Sequence, residues 1–233
     1  MKILLTKARP LVLLLAATFI LTACGGAGGG QQGSGSGSDG ERGTPYKTGG
    51  SMAGMDHGQM GHGSMGMGSK SMAKQMVMQN GKYSDKRFID AMVPHHQEAI
   101  AMAKVALKNA EHEEIQELSR NIISSQQAEI QELKAIKKEE FGTSQVPIEM
   151  SPQQIRGMGM MMNPQRLTKQ GPFDEAFIDA MIPHHQSAIE MAKVANENSD
   201  IPEIRELAGN IMSAQKREIE QMRRWRDPWY QEG

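Results

Sequence analysis

The sequence predicts an all-α protein, a four-helix bundle made of two repeated αα-hairpins behind a signal peptide and a disordered Gly/Met-rich tether. Three observations carry this. Phe88-Ile-Asp-Ala-Met-Val-Pro-His-His-Gln97 recurs as Phe177-Ile-Asp-Ala-Met-Ile-Pro-His-His-Gln186. The offset of 89 residues holds without gaps to Leu133/Met222, with about 27 of 46 paired positions identical, far beyond chance for unrelated helices. Within each copy apolar residues recur every three or four positions, the period of a helix with one buried face. A short break then divides each copy, at Asn109–His112 and at Asn196–Pro202. A lone hairpin buries one face only, so two hairpins are expected to pack together.

Residues 1–23 read as an export signal. Lys2, Lys7 and Arg9 precede an apolar run from Leu11 to Leu21, too short to span a bilayer comfortably. The run ends at Leu21-Thr22-Ala23-Cys24, which resembles the lipobox of bacterial lipoproteins. That resemblance implies cleavage before Cys24 and lipidation of the new N-terminal cysteine, a durable membrane anchor. The protein is therefore expected outside the cytoplasm, on a membrane surface. Cys24 is the only cysteine, so no internal disulfide or Cys-cluster zinc site is available.

Residues 24–80 are assigned to the tether. Its first part, to Gly50, is rich in Gly and Ser with almost no apolar residues. From Ser51 it keeps the glycines and adds eight methionines with His57 and His62. No period organises its first part; from Ser71 onward a short helix is plausible.

The first hairpin is assigned to residues 81–142. Its first helix, near Lys86–Asn109, carries Phe88, Ile89, Met92, His96, Ala99, Ile100, Ala103 and Ala106 on one face. Its second, near Glu113–Glu139, carries Ile115, Leu118, Ile122, Ile130, Leu133 and Ile136. Residues 143–172 form a Met-rich linker, in which Ser151-Pro152 is a good helix start and Met158 to Met162 a second methionine cluster. Residues 173–233 form the second hairpin and tail, with Trp225 and Trp229 expected to cover one end of the bundle. Pro94 and Pro183 fall inside the first helix of each hairpin. Each removes a backbone N–H and frees the carbonyl of Asp90 or Asp179. A kink there would reorient the histidine pair that follows.

The chemistry-bearing residues are Met and His. Met numbers 20, against 10 for Phe, Trp and Tyr together. Thioether and imidazole suit Cu(I), and silver by analogy, whereas magnesium and calcium want oxygen. On a helix Met92 can share an ion with His95 or His96, and Met181 with His184 or His185, because residues three or four apart are neighbours. Adjacent histidines differ by about 100° around the axis, so one of each pair is expected inward and the other at the edge. Met102 and Met191 lie too far along for the same ion and belong to a neighbouring site or to the core. For Met92 and Met181 alone, a packed core is the simpler reading. In the tether, Met52, Met55, His57, Met60, His62, Met65 and Met67 have no core to fill and read as a flexible chelating segment for a thiophilic ion. The linker run is evenly balanced between chelation and docking on the bundle. His112, replaced by Ile201 in the second copy, reads as a surface histidine.

The segments Phe88–Lys104 and Phe177–Lys193, with Met-Val/Ile-Pro-His-His-Gln-x-Ala-Ile-x-Met-Ala, resemble the bacterial domain of unknown function 305 family, which includes CopM-type copper-binding proteins. The resemblance covers about Ser84–Arg226. It implies a ferritin-like four-helix bundle in an exported, often lipid-anchored protein. For CopM-type members it implies copper binding through Met and His and a role in copper tolerance. Carried over, it points to Met92, His95, His96 and Met102, and to Met181, His184, His185 and Met191.

The expected function is thus a non-catalytic copper- or silver-binding lipoprotein that sequesters the ion or hands it on. Its expected partners are a membrane, held through lipidated Cys24, soft metal ions and a metal-delivery protein. A formal net charge of −1 gives no basic surface for nucleic acid. A di-iron oxidase would need Glu-x-x-His pairs, and none of the seven histidines has Glu three residues before it. A Cu(I) oxidase has no positive support in the sequence, and a metal-free envelope module would leave the Met/His segment without a purpose.

Overall fold

The structure, a computed structural model, describes residues 72–147 and 150–229. The signal segment, Cys24 and the tether residues Met52, Met55, His57, Met60, His62, Met65 and Met67 lie outside the described residues. Among the described residues no helix is long and apolar enough to cross a membrane.

Four long helices make the bundle: α1 (Asp85–Asn109), α2 (Glu113–Phe141), α4 (Phe173–Asn198) and α5 (Pro202–Trp229), with a short α3 (Pro152–Gly157) in the linker. The boundaries follow local chemistry. Ser84 caps α1 by accepting from the Arg87 N–H, and Asp85 in the first turn favours the helix dipole. Gly142 ends α2 in the left-handed conformation, φ 72°. Ser151 and Gln154 form a reciprocal capping box at α3, with Pro152 in its first turn. Both α1 and α4 run through their internal prolines.

The assignment of everything up to residue 80 to a tether gives way at its end. Residues 72–76 are helical, and Met78–Gln79 pairs antiparallel with Lys82–Tyr83. The turn between them is Asn80-Gly81 with φ of 51° and 76°, the combination a two-residue hairpin requires. Ala73 and Val77 are fully buried, so apolar contact with the bundle orders this segment.

The core divides into two apolar clusters. The first holds Met92 of α1, Leu133 and Ile136 of α2, Met191 of α4 and Ile204, Leu207 and Ile211 of α5. The second holds Met102 of α1, Ile115, Leu118 and Ile122 of α2, Phe177, Ile178 and Met181 of α4 and Ile219 and Met222 of α5. Met92 thus shares a cluster with Met191, and Met181 with Met102. This places α1 and α4 antiparallel, related by the repeat. Trp225 and Trp229 pack against the second cluster, at one end of the bundle.

His112 does more than sit on the surface. Its Nδ1 lies 2.7 Å from Asp174 Oδ2, and its ring stacks on Trp229 at 3.7 Å and 9°. Asp174, 1% exposed, also accepts the backbone N–H groups of Glu111 and His112. The start of α4 in one hairpin therefore grips the turn of the other.

Candidate metal centre

Between the two clusters each helix presents polar residues. On α1 these are His95 and His96, between Met92 and Ala99; on α4, His184 and His185, between Met181 and Ala188. On α2 Gln126 falls between Ile122 and Leu133, and on α5 Gln215 falls between Ile211 and Ile219. All four histidines are fully buried and both glutamines are 2% exposed. The expectation of one inward and one edge histidine per pair is therefore corrected. A helix packed on two sides buries both: one faces the opposite hairpin, the other its own partner helix.

The repeat governs the contacts. His96 Nε2 lies 2.9 Å from Glu129 Oε2, and at the equivalent place His185 Nε2 lies 2.7 Å from Glu218 Oε2. The second contact has hydrogen-bond geometry; the first has the distance but not the direction. Across the hairpin interface the His95 and His184 rings approach to 3.7 Å between centroids, tilted by 35°. His95 Nε2 meets Ser187 Oγ at 2.7 Å. His184 Nε2 lies 2.7 Å from Glu98 Oε2, again off the hydrogen-bond direction.

The linker closes this layer from one side. Ser187 Oγ donates to the Met158 carbonyl, and the Met161 N–H donates to Glu98 Oε1 at 2.8 Å. Gly159, at φ 69°, lies so close that a Cβ there would meet the Pro183 carbonyl at 3.0 Å. Met158 and Met160 pack on the first cluster and Met161 on the second, so the chain crosses the polar layer between Met160 and Met161. Met158 is buried, whereas Met162 is 70% exposed.

Electrostatics keeps the two central imidazoles uncharged. Burial, then the neighbouring imidazoles, hold His95 and His184 well below the ordinary histidine value. Burial raises the Glu98 carboxyl to about 7, opposed by the Met161 N–H. Neutral imidazoles keep a lone pair available for a metal. The Nδ1 atoms of His95, His96, His184 and His185, and both side-chain amide atoms of Gln126 and Gln215, have no hydrogen-bond partner. Each such buried group costs about 1–3 kcal/mol, and a cluster of them in a folded protein signals a ligand or a function. Among the described residues no three His, Cys, Asp or Glu side chains are arranged to hold an ion by themselves. The layer itself offers imidazole nitrogens with carboxylate and amide oxygens nearby, and the flanking clusters add thioether sulfurs; nitrogen with sulfur suits a soft ion rather than a hard one.

The sequence-predicted residues fall into place accordingly. His95 and His184 meet, and His96 and His185 lie on either side of them. Met92, Met102, Met181 and Met191 are fully buried in the flanking clusters. Glu98, Glu129, Glu218, Gln126 and Gln215 were not singled out from sequence. Four of them carry a signal there, because Gln126/Gln215 and Glu129/Glu218 are identical pairs at the repeat offset. Glu98 has no such signal, because its counterpart is Ser187.

Comparison with known proteins places this architecture. A CopM solved in its Cu(II)-bound form is 42% identical, with a TM-score of 0.60; the match covers 66% of this chain and 100% of that one. CopM in the Cu(I)-bound form is 40% identical, TM-score 0.58, covering 64% of this chain and 100% of that one. In an Ag-bound form, obtained by soaking, it is 39% identical, TM-score 0.55, with the same coverage. An uncharacterized protein, L153 of Acanthamoeba polyphaga mimivirus, is 40% identical over 52 residues, which are 22% of this chain and about a third (34%) of that relative's length. The family described as Domain of unknown function (DUF305) matches residues 31–137 and 85–226. With two matches that span most of the chain, and a full-length relative of the same helical build, this protein belongs to the DUF305 family.

Proposed function

We propose that the protein is an exported, lipid-anchored copper- or silver-binding protein that sequesters the ion or passes it on through Met and His, and so contributes to metal tolerance. The observation that carries this is the His95–His184 pair: two buried, uncharged imidazoles in contact, each with an unpartnered Nδ1, between clusters that supply Met92, Met191, Met102 and Met181. A purely structural histidine would have both ring nitrogens satisfied. The existence of CopM structures with Cu(I), Cu(II) and silver supports the same choice of ion. Lipidation at Cys24 would hold the protein at a membrane, and Met52, Met55, Met60, Met65 and Met67 would offer further thioethers.

The test is titration of purified residues 24–233 against a Cu(I)-chelating dye. Competition at micromolar concentration, with more than one equivalent bound, is expected; no competition overturns the reading. Replacing His95, His96, His184 and His185 together by Gln should remove part of the capacity. An intact fold with unchanged stoichiometry would make those residues structural.

A further inference from the structure

Methionine is unevenly divided between the two clusters, and the repeat is not the cause. The first cluster contains or touches eight methionines and the second four. The repeated positions contribute two to each, Met92 and Met191 to the first, Met102 and Met181 to the second. The surplus comes from outside the repeat: Met72 and Met76 precede it, and Met150, Met158 and Met160 lie in the linker.

Met72 and Met76 are four residues apart on the helical segment 72–76, so their side chains share one face. That face meets α3. A Cβ at Gly157 would stand 2.7 Å from Met72 Cγ, so only a glycine permits this approach. Met76 Sδ accepts a hydrogen bond from Gln154 Nε2 at 3.3 Å. The Met160 N–H turns back onto the Ile155 carbonyl, which holds Met160 close to α3, and its side chain packs against the same cluster. Met72, Met76 and Met160 are each only half-buried. A methionine that merely fills a core gap is enclosed by apolar atoms. Here three methionines stay partly exposed beside a cluster, and the Met76 sulfur already serves as an acceptor for a polar group.

We propose that Met72, Met76 and Met160 form a soft-metal site of their own, a rim of thioethers for Cu(I) or Ag(I) between the N-terminal helical segment and α3. Three thioethers and no charged donor suit a monovalent soft ion and disfavour divalent hard ones. The site adjoins the end of the Met/His-rich sequence at residue 71. Through Met158, Gly159 and Met161 the same linker reaches Ser187, Pro183 and Glu98 over the histidine layer. An ion taken from solvent thus meets sulfur first and imidazole second. The proposal rests on the soft-metal reading above.

The experiment is Ag(I) titration of residues 24–233 carrying 13C-methyl methionine, each methyl resonance assigned by its single Met→Leu variant. The Met72, Met76 and Met160 methyls are expected to shift together, and the triple variant M72L/M76L/M160L to bind one equivalent fewer. Leucine conserves the volume, so a circular dichroism spectrum like the parent's is expected. If the three methyls stay put at saturating Ag(I) while the methyls of Met92, Met102, Met181 and Met191, in the clusters flanking the histidine layer, respond, this site is overturned and the histidine site stands. If the triple variant keeps every equivalent, the proposal falls as well. If no resonance of the protein responds, the soft-metal reading itself has failed. A second variant, G157A, should push Met72 away from α3 and weaken the joint response of Met72 and Met160; an unchanged response counts against the site.

Discussion

Glu98 Oε2 lies 2.7 Å from His184 Nε2, and this contact breaks the symmetry of the repeat, because Ser187 takes the equivalent place beside His95. One half of the interface thus holds a titrating carboxyl and the other a hydroxyl. The consequence is a pH dependence of stability with two opposing parts. His95 and His184 are depressed below 6.5, so their contribution is complete above that pH and is lost as pH falls. Glu98 is raised from 4.5 to about 7, so its contribution is present at low pH and is lost as pH rises through 7. Near pH 5.5, a unit below the unfolded histidine value, unfolding takes up nearly two protons on the histidines and releases about one from Glu98. The metal-free protein should therefore lose roughly 1.4 kcal/mol of stability per pH unit there, one net proton. In E98Q the slope should double. Urea melts at a series of pH values decide it, and equal slopes in parent and E98Q would remove Glu98 from the account.

The second pseudo-symmetric pair is ionic. Asp90 pairs with Lys137, whose side chain is 1% exposed, and at the equivalent place Asp179 pairs with Arg226, both of them exposed. The two should respond unequally. D90A leaves a buried ammonium with the Gln145 carbonyl but no counter-charge and is expected to cost about 3–5 kcal/mol. D179A breaks a solvated pair and should cost less than about 1 kcal/mol. Chemical denaturation of the two variants measures the contrast directly.

Asp174 fastens the two hairpins to each other. Its carboxylate receives two backbone N–H groups and His112 Nδ1. D174A should destabilise by about 2–4 kcal/mol, the range for charge-assisted bonds whose donors are left behind. H112A keeps the backbone donors satisfied and should cost less. A larger loss in H112A than in D174A would mean that stacking on Trp229, not the carboxylate, holds the turn.

Gly159 sets how closely the linker lies on the histidine layer. Its φ of 69° and the 3.0 Å approach to Pro183 leave no room for a side chain. G159A should lift the segment and weaken the Met161 N–H bond to Glu98. Hydrogen exchange of the Met161 amide should accelerate at least tenfold, with helices α2 and α5 unaffected. Unchanged exchange would show that the linker is held elsewhere.

Much of the architecture was legible from the repeat. Two copies of an amphipathic pair, each broken once, admit few arrangements, and α1, α2, α4 and α5 end within a few residues of the expected places. The residues 72–83 were harder. Asn80-Gly81 is a strong turn signal, but the flanking strands have two residues each, too few for a period to show. The site was half legible. The repeated His pairs drew attention because they recur, whereas Glu98 stands in one copy only and looks like any exposed helix glutamate. Nothing in the sequence says that His112 meets Asp174, 62 residues away.

By itself the sequence determined the elements and their duplication, because helical period, caps and repeat offset are local or additive properties of the chain. It also determined the donor chemistry, imidazole and thioether, with Cys24 the one thiol in the sequence. The tertiary structure alone decided which donors meet. Antiparallel packing of α1 on α4 brings His95 to His184 and sends Met92 to Met191, a pairing that no spacing within either copy contains. It also decided that His95 and His184 are buried and uncharged, because burial is a property of all four helices together. Part of the methionine excess, read from sequence as a matter of tether and linker, meets the first apolar cluster in three dimensions, through Met72, Met76, Met150, Met158 and Met160. The physical reason is that side chains far apart in sequence share one cluster only after the linker folds back over the helices.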